Sequence, residues 1–250
     1  MKTYKQPILR LRRPRDERRG KHKHKVINRL VENRLIKRIS DEEYRRKVRR
    51  VYGGRKGALL ATASKLSLHL PLVERLLRSR QFNLRGVGRV LDVGSGAGQV
   101  LQHVLKHADP GVEVTACDLS AAMLRRARRR LKSQRPKYVA ADLARLPFAD
   151  EAFDCVTCGY VLEHLPDARP GLKEMARVMA PGGRMLLLTT EDNFGGAWTS
   201  RMWYCRTYNR RELFGIIDEV GLVCHKELWL SKVHKALRAG GICLELEKPR

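Results

Sequence analysis

The chain has 250 residues, 43% of them hydrophobic, and 52 Lys/Arg against 26 Asp/Glu give it a net charge of +26. That length and apolar content point to a globular body with a sizeable core, one α/β domain plus an extension. No run approaches the roughly 18 apolar residues of a membrane-spanning helix, and no apolar segment with a small-residue cleavage site follows the basic N-terminus, so neither a membrane span nor export is expected.

The charge is unevenly spread. Residues 1–88 hold 27 Lys/Arg against 7 Asp/Glu, so +20 of the surplus lies there and the remainder is mildly basic. Residues 1–25 are almost wholly polar and basic, the composition of a disordered tail. Residues 26–85 read as a basic helical extension. Apolar pairs (Val26/Ile27, Leu30/Val31, Leu35/Ile36) recur at helical spacing, and Ser40 with Glu43 forms a capping box that opens a helix through about Tyr52. Gly53 and Gly54 end it, and residues 56–81 read as two further helical pieces broken near Pro71. Three readings of this extension stand: an arm that binds RNA through counterion release, an anchor on an anionic membrane surface, or a solvated tail.

From residue 89 a βα alternation takes over. Strands are expected at 89–93, 112–117, 137–141, 153–158 and 184–190, and helices at 98–107, 120–133, 170–179 and 210–220. Pro181-Gly182-Gly183 reads as a turn that launches the strand at 184–190. Two last strands, 222–230 and 241–247, are joined by too few residues for a crossover, so they should pair antiparallel at the sheet edge. The pattern predicts a mostly parallel sheet covered by helices on both faces. Of six cysteines only Cys155 and Cys158 lie close together. Three residues apart on a strand they face opposite ways, so metal or redox use is not expected, and buried, reduced thiols in a cytoplasmic protein are.

The chemistry should sit at the carboxyl ends of the strands. Residues 89–98, Arg-Val-Leu-Asp-Val-Gly-Ser-Gly-Ala-Gly, read as strand, glycine turn and helix start. The spacing is G-x-G-x-G over Gly94, Gly96 and Gly98, with Gln99 where a dinucleotide fingerprint wants its final glycine. Asp92 ends the first strand, where a carboxylate suits a cationic ligand better than a pyrophosphate. Asp118 ends the second, positioned for a ribose diol. Asp142-Leu143 ends the third, an acid beside an apolar residue that suits an adenine. Gly159-Tyr160 ends the fourth, followed by Leu162, Glu163 and His164. Three acids at successive strand ends beside one glycine loop form a coherent site, and an ordinary NAD-binding domain is disfavoured by Gln99 and Asp92.

Those residues resemble the class I S-adenosylmethionine-dependent methyltransferases. Val90–Gly98 looks like the family's first motif, Val114–Asp118 like its acidic second-strand end, and Ala141-Asp142-Leu143 like its adenine corner. Phe148–Asp154 with Val161–Leu165 is similar to the segment around its fourth strand, and Pro181-Gly182-Gly183 to the turn before the fifth. The resemblance covers roughly residues 86–192. It implies a Rossmann-like, seven-stranded, mostly parallel sheet with an antiparallel final strand, over residues 86–250, with S-adenosyl-L-methionine as methyl donor. By resemblance Asp92 lies near the methionine ammonium, and Gly94, Ser95, Gly96 and Gly98 pass the methionine moiety. Asp118 takes the ribose hydroxyls, with Leu119 and Met123 beside the adenosine. Asp142 binds the adenine amino group, Leu143 flanks the ring, and Gly159 borders the site at the fourth strand end. Met123 reads equally well as helix core.

Methyl transfer from a sulfonium is a direct displacement, and holding the groups in line supplies most of the catalysis. His164 is the candidate general base, for an acceptor that must lose a proton. Glu191 at the end of the fifth strand, with Trp198, Trp203 and Tyr204 in the loop beyond, could contact the acceptor or pack on the sheet edge. No Asn/Asp-Pro-Pro-aromatic run or Pro-Cys pair follows the fourth strand, which argues against amine and cytosine-C5 acceptors. The segments after Asp142 and around Glu163-His164 look most like the quinone-biosynthesis and small-molecule branch, and a small or lipid-like acceptor is expected. Two alternatives remain: an RNA or protein methyltransferase anchored by the basic extension, and a binding protein that keeps the fold without chemistry. The expected location is cytoplasmic, with peripheral membrane attachment if the extension is the anchor among its three readings.

Overall fold

The structure is a computed structural model, and it describes residues 69–165, 167–191, 207–229, 235 and 241–250. The tail, the capping box at Ser40 and the aromatic loop with Trp198, Trp203 and Tyr204 lie outside the described residues.

The chain order is α1 (His69–Arg78), β1 (Arg89–Val93), α2 (Gln99–His107), β2 (Glu113–Asp118), α3 (Ala121–Leu131), β3 (Lys137–Ala140), β4 (Phe153–Gly159), a 3₁₀ turn (Leu162–His164), α4 (Ala168–Val178), β5 (Met179–Thr189), α5 (Arg210–Glu219), β6 (Val223–Glu227) and β7 (Ile242–Glu247). The seven strands form one sheet in the order β3-β2-β1-β4-β5-β7-β6. β1 through β5 run parallel, and β7 is antiparallel to both β5 and β6. The chain steps outward from β1 to β3, then crosses back to place β4 on the other side of β1. The crevice for a ligand therefore opens at the carboxyl ends of β1 and β4, where the strand order reverses.

Each sheet face has its own apolar layer, as alternation along a strand requires. Leu91, Val93, Val156, Cys158, Met185 and Leu187 face α4 and α5, whereas Val90, Cys155, Leu186 and Leu188 face α1, α2 and α3. Cys155 and Cys158 thus point to opposite layers, and burial pushes the Cys155 thiol up to about 12. Among the described residues no helix is long and apolar enough to cross a membrane.

The structure sharpens or corrects several expectations. Pro71 sits in the first turn of α1, where a backbone N–H has no intrahelical partner to lose, and the helical piece expected before it lies outside the described residues. Leu72, Val73, Leu76, Leu77, Phe82 and Leu84 are buried in the same layer as Val90 and Leu101, so this part of the segment read as an extension packs with the sheet. Pro181-Gly182-Gly183 is not a turn ahead of a strand but a bulge within β5. Met179 pairs with Phe153 and Arg184 with Cys155, and the residues between them are held by Gly182 N–H donating to Lys248 O (2.8 Å). Proline is tolerated there because a bulge leaves its missing donor unrequired. α4 begins at Ala168, earlier than expected, since the Asp167 carboxylate caps it by accepting from Arg169 N–H.

Candidate functional site

The site grows from the end of β1. Val90, Leu91 and Val93 fix the strand between β2 and β4, and Asp92 is carried into the interior with them, 1% exposed. Thr157, its register partner on β4, donates its hydroxyl to Asp92 Oδ1 at 2.6 Å. Asp92 Oδ2 is buried and has no hydrogen-bond partner among the described residues. Desolvation raises the Asp92 carboxyl from 3.8 to about 6; the Thr157 and Ser95 hydroxyls offset part of this, and the nearby Asp118 charge adds to it. A buried carboxylate oxygen without a donor is costly, and a ligand cation is the partner that would relieve it.

The glycine loop follows. Gly94 has φ +67, and a Cβ on it would lie 2.0 Å from Val161 Cγ2, so only glycine fits between β1 and the loop after β4. Gly98 has φ +85 and caps α2 from the left-handed region, pressed beneath Ala127 and Leu131 of α3. Ser95 N–H donates to Cys117 O (2.9 Å), its hydroxyl donates to Asp92 O (2.8 Å), and Gly98 N–H donates to Ser95 O (2.7 Å).

Asp118 is tied into this loop rather than standing apart from it. Its Oδ2 accepts from Gly96 N–H and its Oδ1 from Ser120 N–H, each at 2.8 Å. Burial raises its pKa, and these two amides work against that. Ala141 N–H donates to Asp118 O (3.0 Å), which brings the end of β3 alongside. Leu119 is half-buried next to it, and Met123 is buried in α3, its Cε 3.8 Å from where a Gly96 Cβ would stand. Met123 is thus both helix core and a neighbour of the loop.

The other predicted residues take more structural roles. Asp142 Oδ1 accepts from Ala144 N–H (2.9 Å) and shapes the turn after β3, while Leu143 is buried against Gly171 of α4. Gly159 makes room for α2, since a Cβ there would sit 2.9 Å from Val100 Cγ2. Tyr160, next in the chain, has φ +58, a strained conformation for a tyrosine and one that collects at functional sites. Burial lowers the His164 imidazole to about 4, which keeps it neutral at physiological pH and makes it a weak base. Glu191 does not present a free carboxylate: Arg210 donates to both its oxygens, Nε to Oε1 and Nη2 to Oε2. The same guanidinium donates to Glu227 and lies 5.1 Å from the Trp229 ring centre, so Glu191 fastens the end of β5 to α5 and β6.

Sequence reasoning missed three contributors. Thr157 looked like plain strand, and only the β1–β4 register sets it opposite Asp92. Glu163 is 3% exposed and accepts from the Thr189 (2.9 Å) and Thr190 (2.8 Å) hydroxyls, locking the turn after β4 to the end of β5. Arg130 reaches from α3 to the carbonyls of Ala97 and Gly98. The Glu163 contact had a signal in adjacent hydroxyls at a strand end; the Arg130 contact had none in a run of six basic residues.

A family model described as a methyltransferase domain matches residues 91–187. A ubiquinone/menaquinone biosynthesis C-methyltransferase of Desulfotalea psychrophila is 39% identical over 105 residues, 42% of this chain and 42% of its own length. A demethylmenaquinone methyltransferase of Beutenbergia cavernae is 44% identical over 101 residues, 40% of this chain and 39% of its own. The chain thus matches about two fifths of the length of these curated relatives. Among solved structures, a SAM-dependent methyltransferase from Aquifex aeolicus superposes with a TM-score of 0.56 at 19% identity, over 74% of this chain and 95% of that one. Geranyl diphosphate C-methyltransferase from Streptomyces coelicolor gives 0.56 at 16%, over 70% and 78%. These structural likenesses speak to the fold. With the glycine loop, the acids at the ends of β1 and β2 and the sheet order in place, residues 91–187 match a methyltransferase domain, and the sheet has the fold of solved S-adenosylmethionine-dependent methyltransferases.

Proposed function

We propose that the protein transfers a methyl group from S-adenosylmethionine to a small, lipid-like acceptor by in-line displacement. The observation that carries the donor half is the buried Oδ2 of Asp92, unpartnered among the described residues, beside a second, half-buried acid, Asp118. Two neighbouring carboxylates, with the Asp118 charge adding to the rise in the Asp92 pKa, form a negative site, which favours a ligand with an ammonium and a sulfonium and disfavours a pyrophosphate. Asp92 would hold the ammonium, the 94–98 loop the methionine moiety, Asp118 the ribose diol with Leu119 and Met123 alongside, and Asp142 with Leu143 the adenine. The donor supplies a methyl on positive sulfur with a neutral thioether as leaving group. The protein's own task is then to hold donor and acceptor in line and dry, which is worth effective molarities of roughly 10⁵–10⁸ M. His164, neutral but weakly basic, suits an acceptor that ionises readily. The names of the relatives, which methylate quinone precursors, support an acceptor of that kind.

Calorimetry with S-adenosylhomocysteine tests the donor site. Asp118→Ala removes a ribose acceptor and the clasp on Gly96, so binding should weaken by about 10- to 100-fold, the loss of one or two charge-assisted hydrogen bonds. Wild-type protein without affinity for this ligand would overturn the reading. Labelled-methyl incorporation into a panel of quinone precursors tests the acceptor.

A second reading, an RNA acceptor, is favoured by one observation. α3 contains no acidic residue, and Arg125, Arg128, Arg129 and Lys132 are exposed at i, i+3, i+4 and i+7, one continuous stripe. If this face binds RNA, replacing Arg125, Arg129 and Lys132 with Gln should reduce the slope of log affinity against log salt by about 2. An unchanged slope removes α3 from any such interface.

A further inference from the structure

We infer that Arg130 is the positioning residue of the glycine loop, oriented through Gln102 and His103 by Glu74 on α1. The inference rests on the donor site proposed above. The Arg130 guanidinium donates from Nε to Ala97 O (2.8 Å), from Nη2 to Gly98 O (2.5 Å) and from Nη1 to Gln102 Oε1 (3.0 Å). The two carbonyls belong to consecutive peptide planes, where the loop turns into α2, so one side chain fixes both planes from the side of α3. Gly98 permits this: with no Cβ, and with φ +85, it lies close enough beneath Ala127 and Leu131 for the guanidinium to reach.

The orientation of every group in the relay is forced by donor chemistry. Arginine can only donate, so Gln102 must turn its oxygen to Arg130 and its amide nitrogen to His103. That nitrogen lies 2.9 Å from His103 Nε2, which must therefore accept and carry no proton. The imidazole proton is left on Nδ1, 2.7 Å from Glu74 Oε2. Lys106 (2.6 Å) and His107 (3.1 Å) also engage Glu74, and these contacts, Lys106 foremost, hold its carboxyl down at about 2, so it is a fixed anion. Burial lowers the His103 pKa, in keeping with the neutral ring that the relay demands. A run of four side chains from three helices thereby ends on the loop.

The placement is unfavourable by itself. A cation at the N-terminal end of α2 meets the positive end of the helix dipole, and among the described residues the guanidinium contacts two carbonyls and an amide but no carboxylate. Half-buried in that setting, Arg130 is poorly explained as a stabilising charge and well explained as a clasp.

The test uses the full chain. In Arg130→Gln the loop should open more often, so amide hydrogen exchange of the peptide spanning 94–102 should accelerate by about tenfold without any ligand, and S-adenosylhomocysteine affinity should fall by about tenfold. Arg130→Lys, which keeps one donor, should recover part of both losses. Gln102→Leu should give a smaller loss, and Gln102→Leu combined with Arg130→Gln should be no worse than Arg130→Gln alone, because the relay acts through the arginine. Wild-type exchange rates in the loop of Arg130→Gln, or acceleration spread equally over β1, β2 and α3, would overturn the proposal in favour of a purely structural arginine. If Arg130→Gln does not fold, Arg130→Lys and Gln102→Leu carry the same comparison. A loop that opens in the variant while the wild type fails to bind the ligand would leave the clasp standing and remove the donor reading.

Discussion

Gly94→Ala should abolish detectable S-adenosylhomocysteine binding and lower the melting temperature by several degrees. Two costs combine. A non-glycine residue at φ +67 is strained by about 1–2 kcal/mol. The added Cβ would also stand 2.0 Å from Val161 Cγ2 and 2.8 Å from Cγ1, which no side-chain rotation of alanine can relieve. Either Val161 or the loop must move, and the loop is bound to Asp118 through Gly96 and to β2 through Ser95, so any shift reaches the donor site. Val161→Ala removes both Cγ atoms and supplies the check. The double variant Gly94→Ala with Val161→Ala should bind more tightly and melt higher than Gly94→Ala alone, with a coupling of about 1–2 kcal/mol. A double variant no better than the single would mean that backbone strain, not the clash with the loop after β4, sets the requirement for glycine.

Asp92→Asn should separate the stability of the free protein from its function. In the free protein the carboxyl is pushed up to about 6, against 3.8 when exposed. A raised pKa means that the folded state holds a proton the unfolded state has lost. The associated stability is present in full below about pH 4, declines as pH rises, and is gone above about 6. The shift corresponds to about 3 kcal/mol. Stability measured against pH should therefore fall between about pH 4 and 6 in the wild type, and this component should vanish in Asp92→Asn. Asp118 and Glu163 are also raised by burial and titrate in both proteins, so the difference between the two curves reports Asp92 together with its coupling to Asp118. Ligand affinity should move the other way. A cationic ammonium needs the ionised carboxylate, so S-adenosylhomocysteine should bind more tightly as pH rises through about 6, and the asparagine variant should lose about 2–5 kcal/mol of binding at neutral pH. A variant that binds like the wild type would remove Asp92 from the ligand site, and the unpartnered Oδ2 would then need another partner.

Both predictions turn on residues that stand out in the sequence, but neither effect can be sized from it. The strands and helices were legible because their periods are local: Val90, Leu91 and Val93 read as a strand, and residues 120–133 as a helix with Met123 in its core, wherever their neighbours lie. The glycine spacing and the acid two residues before it were legible for the same reason, since a tight turn after a strand depends on a handful of adjacent residues. From these the α/β class, the seven strands and the acids at the strand ends followed.

Long-range register was not legible. That Thr157 lies opposite Asp92, that Val161 fills the space a Gly94 side chain would need, and that Arg210 occupies both oxygens of Glu191 all depend on pairings between segments up to 67 residues apart. Pro181-Gly182-Gly183 was read as a turn ahead of a strand, because proline and paired glycines are turn formers. The pairing of Met179 with Phe153 and of Arg184 with Cys155 makes it a bulge of β5, where no donor is required.

The sequence by itself determined that this chain holds a glycine loop with an acid at its entrance and a second acid one strand away, because those are properties of short stretches of backbone. Only the tertiary structure decided that Asp92 is desolvated with one oxygen unpartnered, that Asp118 clasps the loop, and that Arg130 holds two of its carbonyls. Burial and hydrogen-bond partnership are set by what packs against a residue from elsewhere in the chain, and no local pattern encodes that.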